Sequence, residues 1–347
     1  MQRTLIAFVL LATPIVNAQN YTITDLGSLS PTAVNAWGQV AGNLKGQATV
    51  WTQFTGSRSL GLLPGGTFST AAGINDLGQI VGAADVPTAL CDGQYIAQTV
   101  AFLWTRTQGM QNLGSISVGG YPACVFSSYV WDINVVGQVA GTQGKSSTTY
   151  VDGFLWTEMG NITLLNGIYN SAAYGINGRG QMVGKSGFFL SLDSQPEIDA
   201  EGANATLWDK GQFSEIGDRC SIALNINDFE QVVGWFQSGT TDCSEGVVPH
   251  AFLWTRKEGI RDLGVLPGAT TSVANKINFF GQVIGYSDGL AFVWTRNKGM
   301  LDLNTLVKDN AGWILRMATG INAWGQIVGS GTLNGVPHGF LLTPTSF

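Results

Sequence analysis

Charge is scarce in this sequence: only 12% of the 347 residues are charged, about half of the ~25% that is typical. There are 10 prolines and 2 histidines, and the net charge at pH 7 is −6. With 44% hydrophobic residues, the chain can bury a core, which excludes a disordered protein. The acidic balance argues against a basic nucleic-acid-binding surface. Two histidines almost 90 residues apart argue against His-based catalysis.

Long hydrophobic runs are also missing, apart from one short stretch at the N-terminus. A single positive charge in Met1–Thr4 precedes the apolar run Leu5–Leu11, and small residues stand at Val16 and Ala18. This order is typical of a signal peptide, so we predict that residues 1–18 are removed after Ala18. The run is too short for the ~20 residues of a membrane span. Residues 19–347 are therefore expected to be secreted, extracellular or periplasmic, without a stable membrane anchor; a buried N-terminal strand is the alternative.

Glycine is abundant, and most glycines belong to a repeated unit. The chain has 47 glycines, about twice the average share, which excludes a coiled coil. One repeated element is small-Phe-Leu-Trp-Thr, as in Ala101–Thr105 and Ala251–Thr255. Another is an apolar residue and Asn followed by Gly-Gln and two apolar residues, as in Ile74–Gly82. The Asn recurs seven times, at Asn35, Asn75, Asn134, Asn177, Asn227, Asn278 and Asn322.

These repeats predict an all-β fold, a seven-bladed β-propeller. Each repeat has about 47 residues and four short apolar segments that read as strands, which fits a four-stranded blade. We label the strands a to d in chain order; Asn-x-x-Gly suits a tight a–b hairpin turn. Glu230 replaces that Gly in one repeat, so its turn should be looser or strained. The N-terminal strand d (Tyr21–Gly27) should complete the last blade and close the ring, so that residues 19–347 form one domain.

The repeats resemble a known family. His250-Ala251-Phe252 and His338-Gly339-Phe340, together with the run Asp262–Gly268 and the Asn-x-x-Gly-Gln turns, are similar to the bacterial extracellular HAF-repeat family. The resemblance covers essentially the whole mature chain. It implies secretion and repetition but no assigned chemistry. The histidine opens only two of the seven c strands.

The predicted propeller has two unlike faces. Short a–b and c–d turns share one, here called the turn face. The b–c and d–a connections share the other, the long-loop face, and it holds most of the length variation, for example residues 83–98. All four cysteines fall there, and we prefer the disulfides Cys91–Cys124 and Cys220–Cys243 among three possible pairings. Free thiols are the alternative. Because long loops on a repeated scaffold usually carry binding residues, we expect the ligand on the long-loop face.

Candidate binding residues follow from position. Asp132, Asn225 and Lys276 occupy the same place in strand a, just before the apolar residue that precedes Asn. If strand a is innermost, they approach the central channel; polar groups facing channel water are the alternative. Aromatic residues are numerous in the long-loop connections, and Trp131, Trp235 and Trp313 are the candidates for ligand contact, because such rings suit sugar stacking or protein contact. Trp37 and Trp324, on the turn face, are expected to pack under neighbouring turns.

Catalytic residues cannot be assigned from the sequence. Eight carboxylates fall in the long-loop connections, and a glycosidase needs two of them about 5–10 Å apart. They are Asp85, Asp92, Asp193, Glu197, Asp199, Glu201, Asp242 and Glu245. The group Asp193–Glu201 is a candidate for Ca²⁺, a solvated acidic loop is the favoured explanation, and we predict no other cofactor or metal.

The sequence favours a secreted, monomeric, non-catalytic binding protein with a carbohydrate or protein ligand. The first alternative is a carboxylate-dependent glycoside hydrolase or lyase, and the second is a structural or matrix protein.

Overall fold

Seven four-stranded antiparallel sheets make up the computed structural model of this protein. It describes residues 20–91, 94–114, 126–145, 151–158, 160–165, 170–187, 203–238 and 248–345. Each sheet is one blade of a seven-bladed β-propeller, which confirms the predicted fold. The predicted cleavage site at Ala18, the candidate Ca²⁺ ligands Asp193, Glu197, Asp199 and Glu201, and the cysteines Cys124 and Cys243 lie outside the described residues.

The first four blades are continuous in sequence. Blade 1 contains β2 (Ser30–Val34), β3 (Val40–Leu44), β4 (Gln47–Thr52) and β5 (Gly56–Ser59); blade 2 contains β6 (Ser69–Ile74), β7 (Ile80–Cys91), β8 (Gln94–Thr105) and β9 (Gly109–Gly114). Blade 3 contains β10 (Phe126–Ile133), β11 (Val139–Lys145), β12 (Val151–Trp156) and β13 (Ile162–Leu164); blade 4 contains β14 (Ser171–Ile176), β15 (Met182–Gly187), β16 (Ala203–Asp209) and β17 (Gln212–Arg219).

The last blade joins the two ends of the chain. Blade 5 contains β18 (Ser221–Ile226), β19 (Val232–Gln237), β20 (Pro249–Thr255) and β21 (Gly259–Asp262); blade 6 contains β22 (Val273–Ile277), β23 (Val283–Ser287), β24 (Leu290–Thr295) and β25 (Gly299–Asp302). Blade 7 contains β26 (Trp313–Ile321), β27 (Ile327–Leu333), β28 (Val336–Pro344) and, as its outer strand, β1 (Tyr21–Asp25). A 3₁₀ turn (Leu303–Thr305) lies between blades 6 and 7. Tyr21 pairs with Pro344 and Asp25 with Phe340, so the ring closes as the sequence predicts.

Strand a is the innermost strand of every blade, because each one contacts the strand a of the next blade around the whole ring. All seven inner strands carry a register shift at the same place, for example between Val130 and Asp132 in β10 and between Ala274 and Lys276 in β22. A β-bulge of this kind bends a strand and re-aims its side chains. The residues just after the bulge, Asp132 and Lys276 among them, therefore occupy equivalent positions around the channel.

The core lies between consecutive blades. In one cluster, Leu253 of blade 5 packs with Ile277, Phe292 and Trp294 of blade 6. The phenylalanine of the repeated c-strand element is fully buried or almost so wherever it occurs, as in Phe102 and Phe252. The neighbouring c-strand tryptophans are buried or half-buried in the same kind of cluster. Aromatic burial between blades thus provides the core of a chain with few charges.

The connection from residue 83 to residue 98 is regular, although the sequence suggested a variable loop. Strands β7 and β8 continue through it as a long hairpin, in which Ala89 pairs with Ile96 and Cys91 with Gln94. Its composition explains the difference, because Val, Thr, Ile and Tyr in this stretch favour strand. This extension belongs to the long-loop face.

Candidate functional site

Seven asparagines form a closed ring of hydrogen bonds around the channel. Each side-chain amide donates to the backbone carbonyl oxygen of the asparagine in the next blade, over 2.9–3.1 Å. The same amide also donates to the side-chain oxygen of the glutamine four residues later. Its oxygen accepts backbone N–H groups of its own turn, as in the bonds from Trp37 and Gln39 to Asn35. The repeated Asn and Gln are therefore used by the fold.

The a–b turns place large apolar side chains on the turn face. The residue two positions after Asn stands at the tip of each turn, where its backbone N–H bonds to the Asn side chain. In six of the seven blades this residue is exposed and apolar; the seventh blade has Arg179. We call the six the apolar crown: Trp37, Leu77, Val136, Phe229, Phe280 and Trp324, with exposures of 55–77%. A contiguous exposed apolar surface on a globular protein usually marks an interaction site.

Aromatic rings cluster on one side of the crown. The ring centroids of Phe229 and Phe279 are 4.8 Å apart, and those of Phe279 and Phe280 are 5.4 Å apart. Trp324 and Trp37 follow in the next two blades, and the Trp37 indole N–H donates to the carbonyl oxygen of Asp76 over 2.8 Å. Aromatic residues thus occupy four consecutive a–b turns. Trp37 and Trp324 are 77% and 55% exposed, so the expectation that they pack under neighbouring turns is wrong.

A cavity of about 240 Å³ lies at the mouth of the channel, and the residues that immediately precede the crown residues in the chain line its rim, Asp76, Asp228 and Phe279 among them. Aliphatic residues that precede each Asn form part of its wall, as do the ring asparagines themselves. These aliphatic residues are Val34, Ile74, Ile133, Ile176, Ile226, Ile277 and Ile321. The cavity therefore offers an apolar surface bordered by amide groups, a combination typical of ligand pockets.

Two carboxylates stand at the rim of this cavity. Asp76 Oδ1 accepts the backbone N–H of Ala36 over 2.8 Å, and Asp228 Oδ1 accepts that of Gly178 over 2.8 Å. Each Asp thereby ties its own turn to the preceding blade. Among the described residues, the second carboxylate oxygen of each makes no bond, and Asp76 is exposed. The two lie three blades apart, on different sides of the mouth.

Deeper in the channel, the structure brings Asp132, Asn225 and Lys276 together. Asp132 Oδ2 accepts from Lys276 Nζ over 3.2 Å and from Asn225 Nδ2 over 3.1 Å. The side chains of Lys276 and Asp132 are only 22% and 16% exposed. Blade 4 lies between two of these blades and has Gly175 at the equivalent position, where a Cβ would lie 2.8 Å from the Cα of Asn225. Glycine at this position therefore lets the neighbouring inner strands approach.

The three tryptophans that were predicted to contact a ligand differ in their burial. Trp235 is fully buried and Trp313 is 8% exposed; both pack in core clusters, so their expected role as ligand contacts is corrected to packing. Trp131 is half-buried at the bulge of β10 and packs edge-on against Tyr174, with ring centroids 5.5 Å apart. Its indole N–H is buried and has no hydrogen-bond partner among the described residues. Of these three tryptophans, Trp131 alone remains a candidate for ligand contact.

Of the eight candidate carboxylates only Asp85 is among the described residues, since Asp92, Asp242 and Glu245 lie outside them as well. Asp85 accepts three hydrogen bonds, from the backbone and hydroxyl of Thr67 and the backbone of Phe68. At the equivalent place in blade 6, Asp288 accepts the backbone N–H groups of Thr270 and Thr271. The hydrogen bond from the Thr271 hydroxyl is the main cause that lowers the pKa of Asp288. By contrast, burial raises the pKa of Asp152. Within the described residues, no three His, Cys, Asp or Glu side chains are placed to share a metal ion.

The histidines that open two c strands pair with strand d of their own blade. His250 Nδ1 lies 2.9 Å from Asp262 Oδ2, and His338 Nδ1 lies 2.8 Å from Asp25 Oδ1. The aspartates also accept the backbone N–H of Gly264 and Gly27. His and Asp therefore brace one edge of the blade.

Cys220 is disulfide-bonded. Because Cys124 and Cys243 lie outside the described residues, the pairings Cys91–Cys124 and Cys220–Cys243 stay predictions.

Comparison with known proteins identifies the fold. No family model matches the chain, and no curated protein matches it. Among solved structures, it is similar to an oligogalacturonate lyase in complex with manganese, with a TM-score of 0.53 and 9% identity over 93% of each chain. It is also similar to the β-propeller domain of the Trilobed protease from Pyrococcus furiosus, with a TM-score of 0.52 and 12% identity over 94% of each chain.

A third similar structure is the acylaminoacyl peptidase of Pyrococcus horikoshii, with a TM-score of 0.50 and 9% identity. The match covers 93% of this chain and 51% of that one. At such identities, the likeness shows the propeller fold alone. In the described part of the chain, no helix has the length and apolarity needed to cross a membrane.

Proposed function

We propose that this protein is exported and acts as a non-catalytic binding protein, and that the apolar crown is its recognition surface. The observation that carries the proposal is the exposure of large apolar residues at the tips of six of seven a–b turns, next to a cavity lined by the residues that precede them. Tight hairpin turns favour Asn, Gly, Asp and similar residues, so repeated Trp, Phe, Leu and Val there call for a reason other than turn geometry. The signal-peptide pattern of residues 1–18 supports export.

The long-loop face is the second candidate surface. Its support is the unpaired indole N–H of Trp131, near the inner-strand position of Asp132 and Lys276. A ligand that enters the channel from that end could accept this hydrogen bond. We place the crown first because its side chains are exposed, whereas Trp235 and Trp313 are in the core.

The glycosidase or lyase alternative has less support. Such an enzyme needs a pair of carboxylates with one protonated acid, whereas Asp85 and Asp132 are each held by several hydrogen-bond donors. A structural or matrix protein would not require a cavity at the mouth of the channel, so the cavity gives no support to that alternative.

A matched pair of phenylalanines tests the proposal. Phe280 is in the crown, while Phe54 is 96% exposed on a c–d turn of the same face. A glycan array and a displayed peptide library provide ligands for the wild-type protein. We expect Phe280→Ser to weaken binding of a recovered ligand by about tenfold or more, as for an interface hot spot, and Phe54→Ser to leave it unchanged. Equal binding by both variants, or hydrolysis of a polysaccharide by the wild-type protein, would overturn the proposal.

A further inference from the structure

The chemistry of the crown favours one class of partner. The wall of the cavity is aliphatic, Phe279 lines it on one side, and Asp76 and Asp228 stand at two separate points of its mouth. A ligand that fills the cavity therefore needs an apolar side chain in the centre. It also needs groups that suit carboxylates and aromatic faces at the edge, and cationic groups satisfy both requirements.

Each of the two carboxylates at the cavity rim has one oxygen available for such groups. In Asp76 and Asp228, one oxygen accepts a backbone N–H, and the other has no partner among the described residues. The remaining acids of the turn face are engaged by side chains: Glu230 by Arg256, Glu258 by Arg296, Glu158 by Gln79 and Asp209 by Gln181. The available negative charge on this face is thus concentrated at the cavity, whose lining contains no Lys or Arg among the described residues.

We infer that the turn face binds a cationic, apolar peptide segment of a partner protein, with an apolar side chain in the cavity and basic side chains at Asp76 and Asp228. This inference rests on the proposed function and names the partner of that site. A peptide is favoured over a flat bilayer surface because the mouth is concave and carries two carboxylates. A neutral glycan would leave those carboxylates without a counter-charge.

A peptide library with two matched double variants tests the inference. Asp76→Asn with Asp228→Asn removes both charges but keeps an oxygen for the backbone N–H bonds. Glu158→Gln with Asp209→Asn removes two charges from the same face away from the cavity. From a displayed library of random nine-residue peptides, the wild-type protein should select Lys or Arg flanking Leu, Ile, Phe or Trp.

Titration of a selected peptide then gives the decisive comparison. The first double variant should raise the dissociation constant about tenfold or more, and the second less than about twofold. Binding to the wild-type protein should weaken as salt increases, a measurement that holds even if a variant fails to fold. Selection of acidic or uncharged peptides, no selection, or equal affinities of the two double variants would overturn the inference.

Two further results separate this inference from the proposed function. If Phe280→Ser abolishes binding while the loss of Asp76 and Asp228 does not, the crown binds but its partner is not cationic. The protein is also sedimented with vesicles of phosphatidylcholine and phosphatidylglycerol. If the wild-type protein binds the vesicles, Phe280→Ser does not, and the library yields no peptide, the partner is a membrane and the inference is overturned.

Discussion

The side-chain amide of Asn322 donates a hydrogen bond of 2.9 Å to the backbone carbonyl oxygen of Asn35, which lies 287 residues earlier in the chain. This bond joins blade 7 to blade 1 and completes the ring of seven asparagines. Together with the pairing of β1 and β28, it ties the two ends of the propeller. The repeated a–b turns therefore help to close the ring, and the crown residues stand at the tips of those turns.

Replacing Asn322 should destabilise the whole ring. Asn322→Ala removes the bond to the Asn35 carbonyl, which keeps only the N–H of Gly38, and leaves the N–H groups of Trp324 and Gln326 without their acceptor; each unsatisfied buried group costs about 1–3 kcal/mol. We expect the free energy of unfolding in denaturant to fall by about 3 kcal/mol or more. Asn297→Ala, at an exposed turn position, is the control and should change it by less than about 0.5 kcal/mol. Equal effects would show that the Asn ring contributes little.

The pair Asp132 and Lys276 should be energetically coupled. Removing one partner of a buried ion pair costs about 3–5 kcal/mol, and the partial exposure of both side chains reduces this figure to about 1–3 kcal/mol. We expect Asp132→Asn and Lys276→Met each to lower the free energy of unfolding by this amount, and the double variant to lose less than the sum. A double-mutant cycle measures the coupling; strictly additive losses would contradict it.

Glu230 should be a strained residue. Its φ is +58°, whereas six equivalent turns have Gly at φ of +71° to +79°. The N–H of Glu230 still bonds to the Asn227 carbonyl over 3.1 Å, so the turn is strained rather than looser. Left-handed backbone costs a non-Gly residue about 1–2 kcal/mol, and the exposed ion pair with Arg256 offsets only about 0–1 kcal/mol.

Glu230→Gly should therefore stabilise the protein by up to about 1 kcal/mol in thermal or denaturant unfolding. Arg256→Ala removes the ion pair without changing the turn and should have little effect. Destabilisation by Glu230→Gly that matches the effect of Arg256→Ala would show that the ion pair outweighs the backbone strain.

Asp152 makes stability depend on pH in an unusual direction. Burial raises its pKa, so the folded state favours the protonated acid, and the cost of its charge is present above the folded pKa. That cost disappears as the pH falls through the folded pKa toward the unfolded value of about 3.9. Asp152→Asn should therefore raise the free energy of unfolding at pH 7 more than at pH 3. An equal change at both pH values would contradict this assignment.

The repeats made the fold predictable, because each turn and strand occurs seven times. Where one copy of the pattern is ambiguous, the other copies show which element it is. The same repetition predicted that Asp132, Asn225 and Lys276 approach the central channel, since they occupy one position of strand a. The repeats could not predict that Trp235 and Trp313 are buried, because a loop-side tryptophan has the same sequence signal whether it faces solvent or core.

The crown was missed for a related reason. The residues at the turn tips differ in type, so Trp37 and Trp324 looked like isolated cases, and the length variation of the other face drew the functional prediction there. A signal was present: the second residue after Asn is large and apolar in six of seven copies, at a turn position where polar residues are usual. Its meaning depends on the side chains pointing outward around one cavity, which the structure provides.

Hydrogen–deuterium exchange of the protein with and without a peptide selected from the library tests the central claim most directly. If the crown is the recognition surface, the bound peptide should slow exchange in the a–b turns around Trp37, Phe229, Phe280 and Trp324, and leave the β7–β8 hairpin unchanged. Slower exchange confined to that hairpin and the other connections of the long-loop face, with unchanged a–b turns, would contradict it.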